Sequence, residues 1–142
     1  MQYEIARTPV WVAEVDHQPG ALLGKLDALR KAGINLEAAV IRPAAPLSGE
    51  VVLFIAPMDS DLSEEPLHAA GLRRCEAVHA VRIAGRDRLG FIADMVAVLD
   101  QQGLRVAGLT SVAIGDRSVH HLRLESGSDA DRAVEVLRAG LH

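Results

Sequence analysis

Cysteine occurs once in the 142 residues, at Cys75, and the aromatic side chains are two Phe, one Trp and one Tyr. A lone cysteine excludes an intramolecular disulfide and a thiolate metal cage, and it suits a reducing compartment. Aromatics at 3% leave no platform for stacking nucleic-acid bases. A net charge of −4 gives no basic footprint for nucleic acid or an anionic membrane. No apolar run approaches the roughly 20 residues of a membrane span. The start MQYEIARTPVWV lacks a basic segment followed by an apolar one, so no signal peptide and a cytoplasmic location are expected. There is no nucleophile elbow, phosphate-binding loop or paired-cysteine motif. The six histidines (17, 68, 79, 120, 121 and 142) are scattered. Adjacent His120 and His121 point to opposite faces of a strand, so they are expected at surfaces or interfaces rather than on a metal. Neither a metal nor a cofactor is expected.

What the chain does have is a packed soluble composition, 49% hydrophobic and 24% charged, with a core to be built from Leu, Val, Ile and Ala. It also has a repeat. Displaced by 70 residues, VWVAEVDHQPGALLGKLDALRKAGINL lies over AVRIAGRDRLGFIADMVAVLDQQGLRV, with Gly20, Leu29 and Gly33 on Gly90, Leu99 and Gly103. Leu22, Leu26, Ile34 and Leu36 fall on Ile92, Val96, Leu104 and Val106. Both copies read as a strand, a glycine turn, a helical stripe, a glycine stop and a second strand.

In the first copy residues 10–15 alternate as a strand, with Trp11 a core or interface anchor. Leu22, Leu26 and Leu29 make a helical stripe with Lys25 and Arg30 outside, and Gly33 ends the helix. A strand over 34–41, the connection RPAAPLSG (42–49), a strand over 50–56 whose VVLFIA run suits burial on both sides or a central place, and a short helix capped by Ser63 follow. In the second copy a strand over 78–84 leads to a stripe of Ile92, Met95, Val96 and Leu99. A long strand over 104–114, a hairpin at Gly115-Asp116, a strand over 118–125 and a last helix capped by Ser128 complete it. Ala130, Ala133, Val134, Leu137 and Leu141 form the apolar side of that helix.

The expected fold is therefore α+β: two ferredoxin-like βαββαβ modules in tandem, residues 1–72 and 73–142, with antiparallel sheets and helices on one face. The fourth strand of each is not placed by pattern. Residues 2–6 are a candidate edge strand for one gap, and 73–84 can end one copy and begin the other. Modules of about 70 residues bury little surface alone, so the two copies are expected to pack together, most simply with their sheets joined edge to edge.

The loop DHQPG opens a helix whose first N–H groups lack partners and carry partial positive charge, which suits a carboxylate. A side chain at Gly20 is expected to block approach to them, while Asp16 can cap the turn or accept from an ammonium. That is the charge layout of a free amino acid. The same residues also serve as an ordinary capped turn that binds nothing. In the second copy GRDRLGF (85–91) can cradle an anion with two arginines, or those arginines pair with Asp87, Asp94 or a partner's acid on a solvated face.

The run DHQPGALLGKLDALRKAGINL resembles the ACT domain: a strand, a proline-glycine-alanine-leucine turn after an aspartate, a Leu-rich helix, then Gly-Ile-Asn-Leu. GRDRLGFIADMVAVLDQQGLRV is similar to a more divergent ACT module, with Leu89 in place of the proline and Arg105 in place of the asparagine. The resemblance covers nearly the whole chain. It implies pairwise association, hence a homodimer, and regulatory binding of a free amino acid or similar small molecule near the loop after the first strand, at a module interface. Carried over, it points to Asp16, His17, Gln18, Pro19, Gly20, Ala21 and Leu22, to Asn35 across an interface, and to Asp87, Arg88, Leu89, Gly90, Phe91 and Ile92. Any regulated enzyme is then a separate chain, and this chain is no enzyme itself. Two alternatives stay open: an acylphosphatase-like hydrolase on the same strand order, although its loop spacing is not reproduced, and a ligand-free dimerisation module.

Overall fold

The computed structural model describes residues 3–16, 18–44, 49–58 and 64–142. Its elements run β1 (Glu4–Thr8), β2 (Trp11–Asp16), α1 (Ala21–Lys31), β3 (Leu36–Pro43), β4 (Glu50–Pro57), α2 (Glu65–Ala69), β5 (Arg73–Arg74), β6 (His79–Arg86), α3 (Phe91–Gln101), β7 (Gly108–Ile114), β8 (Arg117–Leu124) and α4 (Gly127–Gly140). They form two four-stranded antiparallel sheets, ordered β3-β4-β2-β5 and β1-β6-β8-β7.

The first module is Pro9–Cys75, a complete βαββαβ unit. Trp11, Ala13 and Val15 of β2 pack with Leu53 and Ile55 of β4 and with Leu29 of α1. The VVLFIA run lies in β4, between β3 and β2, the central place its apolar character favours. Trp11 is buried, with its ring edge-on to His68 at 5.3 Å. Gly33 adopts φ +75 and Ile34 N donates to Leu29 O, which ends α1 as a left-handed stop does. Lys25 is not outside: its Nζ donates to Ala70 O at 3.2 Å. The short helix spans Glu65–Ala69 with Pro66 in its first turn. The expected Ser63 cap and part of the 42–49 connection lie outside the described residues.

The second module joins β1 to Glu76–His142. In the ferredoxin-like order the fourth strand lies beside the first at a sheet edge. Here β5 takes that place next to β2, and β1 takes it next to β6, with Ile5 opposite Ile83. The candidate edge strand at the N-terminus thus fills the gap of the distant copy. The stretch 73–84 is shared: 73–74 pair in the first sheet and 79–86 open the second. A partition at 72/73 differs from this pairing at both joints. Arg138 of α4 donates from Nε to Ile5 O at 3.0 Å, and Arg7 pairs with Asp131 at 2.7 Å, so α4 holds β1 down.

Three local expectations change in this module. The buried stripe of α3 is Phe91, Met95 and Leu99, and Ile92 and Val96 are 43% and 36% exposed. Met95 and Leu99 keep their expected places, and the buried face shifts by about half a residue's turn, roughly 50°, so that Phe91 enters the core in place of Ile92 and Val96. The strand expected from 104 begins at Gly108: Leu104 N turns back to Leu99 O to close α3. The cap of α4 is Ser126, whose hydroxyl accepts from Asp129 N at 3.1 Å, so Ser128 is already inside the helix. Ala130, Ala133 and Leu137 are buried beneath α4 as the pattern implied.

Candidate functional site

Both helices that follow a first strand begin the same way. Gly20 and Gly90 are their N-caps at φ +91 and +80, and neither helix receives a side-chain cap. A left-handed backbone is what glycine supplies at these places. A Cβ on either glycine would meet nothing within 4 Å, so within the chain the need for glycine is conformational rather than steric. Ala21 N reaches Gln18 O and Gly24 N reaches Gly20 O, whereas no described group accepts from Leu22 N or Leu23 N. In α3, Phe91 N and Asp94 N are satisfied while Ile92 N and Ala93 N are left over in the same way. Among the described residues, each module therefore offers a pair of unused donors at the positive end of an 11-residue helix.

The sequence-derived residues of the first loop cluster as expected by chain proximity. Asp16 is exposed at the end of β2 and its carbonyl accepts from Gln18 N. Gln18, Pro19 and Gly20 form an exposed turn, and Ala21 and Leu22 rest half-buried on the core. His17 lies outside the described residues. Asn35 is at the opposite end of α1, where its Oδ1 accepts from Leu36 N at 3.0 Å and it lines a separate groove with Leu26, Leu29, Arg30 and Ile34. Its own module does not bring it to the loop.

In the second module the loop opens onto a cleft of about 550 Å³, lined by Asp87–Ala93 together with Ser111, Val112, Ala113, Ser118 and His120. Asp87, which lines the cleft, is anchored by its N–H to Asp116 O. Arg88 pairs with Asp94 at 2.7 Å and lies 5.4 Å over the Phe91 ring. Hydrogen bonds that it donates to Asp94 and then to Tyr3 raise the pKa of its guanidinium above the ordinary value. Arg86 stands 3.8 Å from Asp116. Leu89 is fully exposed at the loop tip, and Phe91 is buried between Tyr3 and His120, with ring centroids at 4.6 and 4.9 Å.

His120 departs from the expectation that the histidines lie at surfaces or interfaces: it is 3% exposed, within the module's own core. Its Nδ1 lies 2.7 Å from Ser111 Oγ and its Nε2 lies 2.9 Å from Ser118 Oγ. Burial lowers its pKa from the usual histidine value; Asp87 acts in the opposite sense, and His121 adds to the lowering. Sequence reasoning missed Ser111, Ser118, His120 and Tyr3. The alternation Ser118, His120, Leu122, Leu124 along β8 was the available signal, since it puts a histidine on the buried side of a strand. Among the described residues, no three His, Cys, Asp or Glu side chains group as a metal site requires. No helix among them is long and apolar enough to cross a membrane.

No family model and no curated protein sequence matches the chain. Solved structures match its fold throughout. A protein from Bacteroides thetaiotaomicron is similar at TM-score 0.74 with 18% identity, covering 95% of this chain and 89% of that one. The ligand-free regulatory subunit of aspartate kinase from Thermus thermophilus is similar at TM-score 0.65 with 13% identity, covering 100% and 98%. Aspartokinase III from E. coli, solved in complex with aspartate and ADP, is similar at TM-score 0.53 with 15% identity over 98% of this chain and 33% of that one. The architecture is a tandem ACT-like fold of two ferredoxin-like modules, shared with these three structures.

Proposed function

We propose that this chain is a non-catalytic regulatory protein that binds a free amino acid at its strand-to-helix loops and passes the signal to a separate enzyme chain. One observation carries the reading. Ile92 N and Ala93 N are unpaired at the start of α3, beside an open cleft that Asp87 also lines. The two N–H groups suit a carboxylate, and Asp87 suits an ammonium group. The cleft volume falls within the range of small-molecule sites, about 300–1,000 Å³. Micromolar binding needs about −8 kcal/mol. Charge-assisted hydrogen bonds at roughly 1.5–3 kcal/mol each, three or four of them, come close to that with one side-chain pocket. The first loop, Asp16 to Leu22, repeats the donor pair and is the second site of this reading.

A homodimer fits the surface of the second module. Edge strand β7 exposes Leu109, Val112 and Ile114, the last at 77%, and Ile92 and Val96 of α3 are exposed as well. An apolar edge of this kind invites a second copy. Ligand that favours one packing of two copies would shift that equilibrium by its difference in affinity for the two states. The hydrolase alternative finds little support, because Arg88 is committed to Asp94 rather than free for a phosphate.

Calorimetry with each of the twenty amino acids, on protein shown to be folded, tests the reading. Heat with at least one of them, reduced in Asp87→Asn, is expected. No heat with any would overturn it and leave the dimerisation module.

A further inference from the structure

The two modules carry different side chains at equivalent places in the same sheet. In the first, Leu53 of β4 lies opposite Ala13 of β2 and Ile41 of β3, and Val51 lies opposite Val15. In the second, His120 lies opposite Ile83 and Ser111, and Ser118 lies opposite Gly85. Ala13 and Val15 stand 70 residues before Ile83 and Gly85, the displacement of the repeat. The apolar trio Ile41, Val51 and Leu53 is therefore replaced by the hydrogen-bonded trio Ser111, Ser118 and His120. An apolar trio is the cheaper solution for a sheet face under a helix, since buried polar groups cost free energy to desolvate. The first module shows that the fold does not need the polar one. The polar trio borders the cleft at the second loop.

The chemistry of the relay limits what it can recognise. A neutral imidazole has one N–H donor and one acceptor nitrogen. One serine must then accept from the ring and keeps its own O–H to donate. The other serine donates to the ring and keeps lone pairs to accept. The trio presents a donor and an acceptor, both uncharged, next to the unpaired amides of α3. It has no charge to neutralise an acidic or basic side chain.

We propose that the cleft of the second module is a discriminating site that reads an uncharged hydroxyl or carboxamide on the side chain of an amino acid through Ser111 and Ser118, with His120 as the positioning residue that fixes which serine donates. This rests on the amino-acid reading above and adds the class of ligand. Protonated His120 has two donors and no acceptor, so both serines must then accept and the pattern is lost. The groups around it are Asp87, Arg88 and Asp94 from the loop and α3, Tyr3 beside β1, and His121 on β8. Burial of the ring favours the neutral, reading form at neutral pH.

The test compares near-isosteric pairs by calorimetry: L-threonine against L-valine, and L-asparagine against L-leucine. At pH 7.5 the polar member of at least one pair is expected to bind about tenfold more tightly or better, because a site built to hydrogen-bond discriminates against the ligand that leaves it unpaired. The triple variant S111I/S118V/H120L copies the trio the first module already folds with, and should stay folded and lose the preference. The single variant Ser111→Ala, at a half-buried position, should reduce it where the triple variant does not fold. The preference of the wild-type protein should also fall as the pH drops through the folded pKa of His120, which lies below the ordinary histidine value. Equal binding within both pairs, or a preference surviving in the variants, overturns the inference and leaves amino-acid binding standing. Absence of binding by every amino acid overturns both.

Discussion

Gly20 and Gly90 hold backbone conformations that an L side chain reaches only at a cost of about 1–2 kcal/mol. Because φ is positive at both places while a Cβ would touch nothing, Gly20→Val should lower stability through backbone strain as well as any affinity, where the loop pattern alone suggested that binding would suffer more than stability. Urea denaturation of Gly20→Ala and Gly90→Ala checks this: unchanged midpoints would mean the turns relax to a negative φ. Ser126→Ala should cost about 1 kcal/mol through its lost bond to Asp129 N, and Ser128→Ala much less. For His120 the sign follows from burial. Its folded pKa lies below the unfolded value of about 6.5, so its neutral form stabilises the fold above that value, and stability falls as pH drops through the folded pKa. In His120→Leu the stability loss between pH 7 and pH 5 should be smaller than in the wild-type protein, as read by thermal melts across that range.

Strand β1 is the element that the second module takes from the far end of the chain. It covers the edge of β6, supplies Ile5 to the core, and is tied to α4 by Arg138 and Arg7. Tyr3, just before it, lies on Phe91, which lines the candidate cleft. Removing residues 1–8 should therefore expose the β6 edge and loosen the loop at 87–91. Hydrogen exchange should show protection falling about tenfold or more in β6 and α3, with β2 and β4 unaffected. Equal loss in both sheets would mean the modules do not divide as their pairing indicates. Gly85 belongs to the same arrangement: a Cβ there would collide with the Tyr3 ring, so Gly85→Ala should displace Tyr3 from Phe91.

The molecule as a whole has two separate cores, one around Trp11, Leu53 and Ile55 and one around Ile83, Met95 and Leu122. Trp11 is the chain's single tryptophan, so its fluorescence reports on the first core. Circular dichroism reports on both. Unfolding followed by the two probes should give transitions that do not coincide. An amino acid bound in the second module at 100 times its Kd should add about 2.7 kcal/mol to that module. The transition seen by circular dichroism alone should move, and a shift confined to the fluorescence transition would place the ligand in the first module instead.

Periodicity and glycine spacing were enough to read the two copies, their order of elements, the left-handed stops and the loops that open each helix. These depend on local rules: alternation of two for strands, 3.6 for helices, and glycine where φ must be positive. The residues of both loops are contiguous in the chain, so a motif could find them. Which strand closes the second sheet is a pairing between residues almost eighty positions apart, and no local pattern encodes it. The phase of α3 was decided by which apolar side chain the core had room for, Phe91 rather than Ile92. The floor of the cleft was decided in the same way, since Ser111, Ser118 and His120 come together only when β7 and β8 pair in register and α3 lays Phe91 across them.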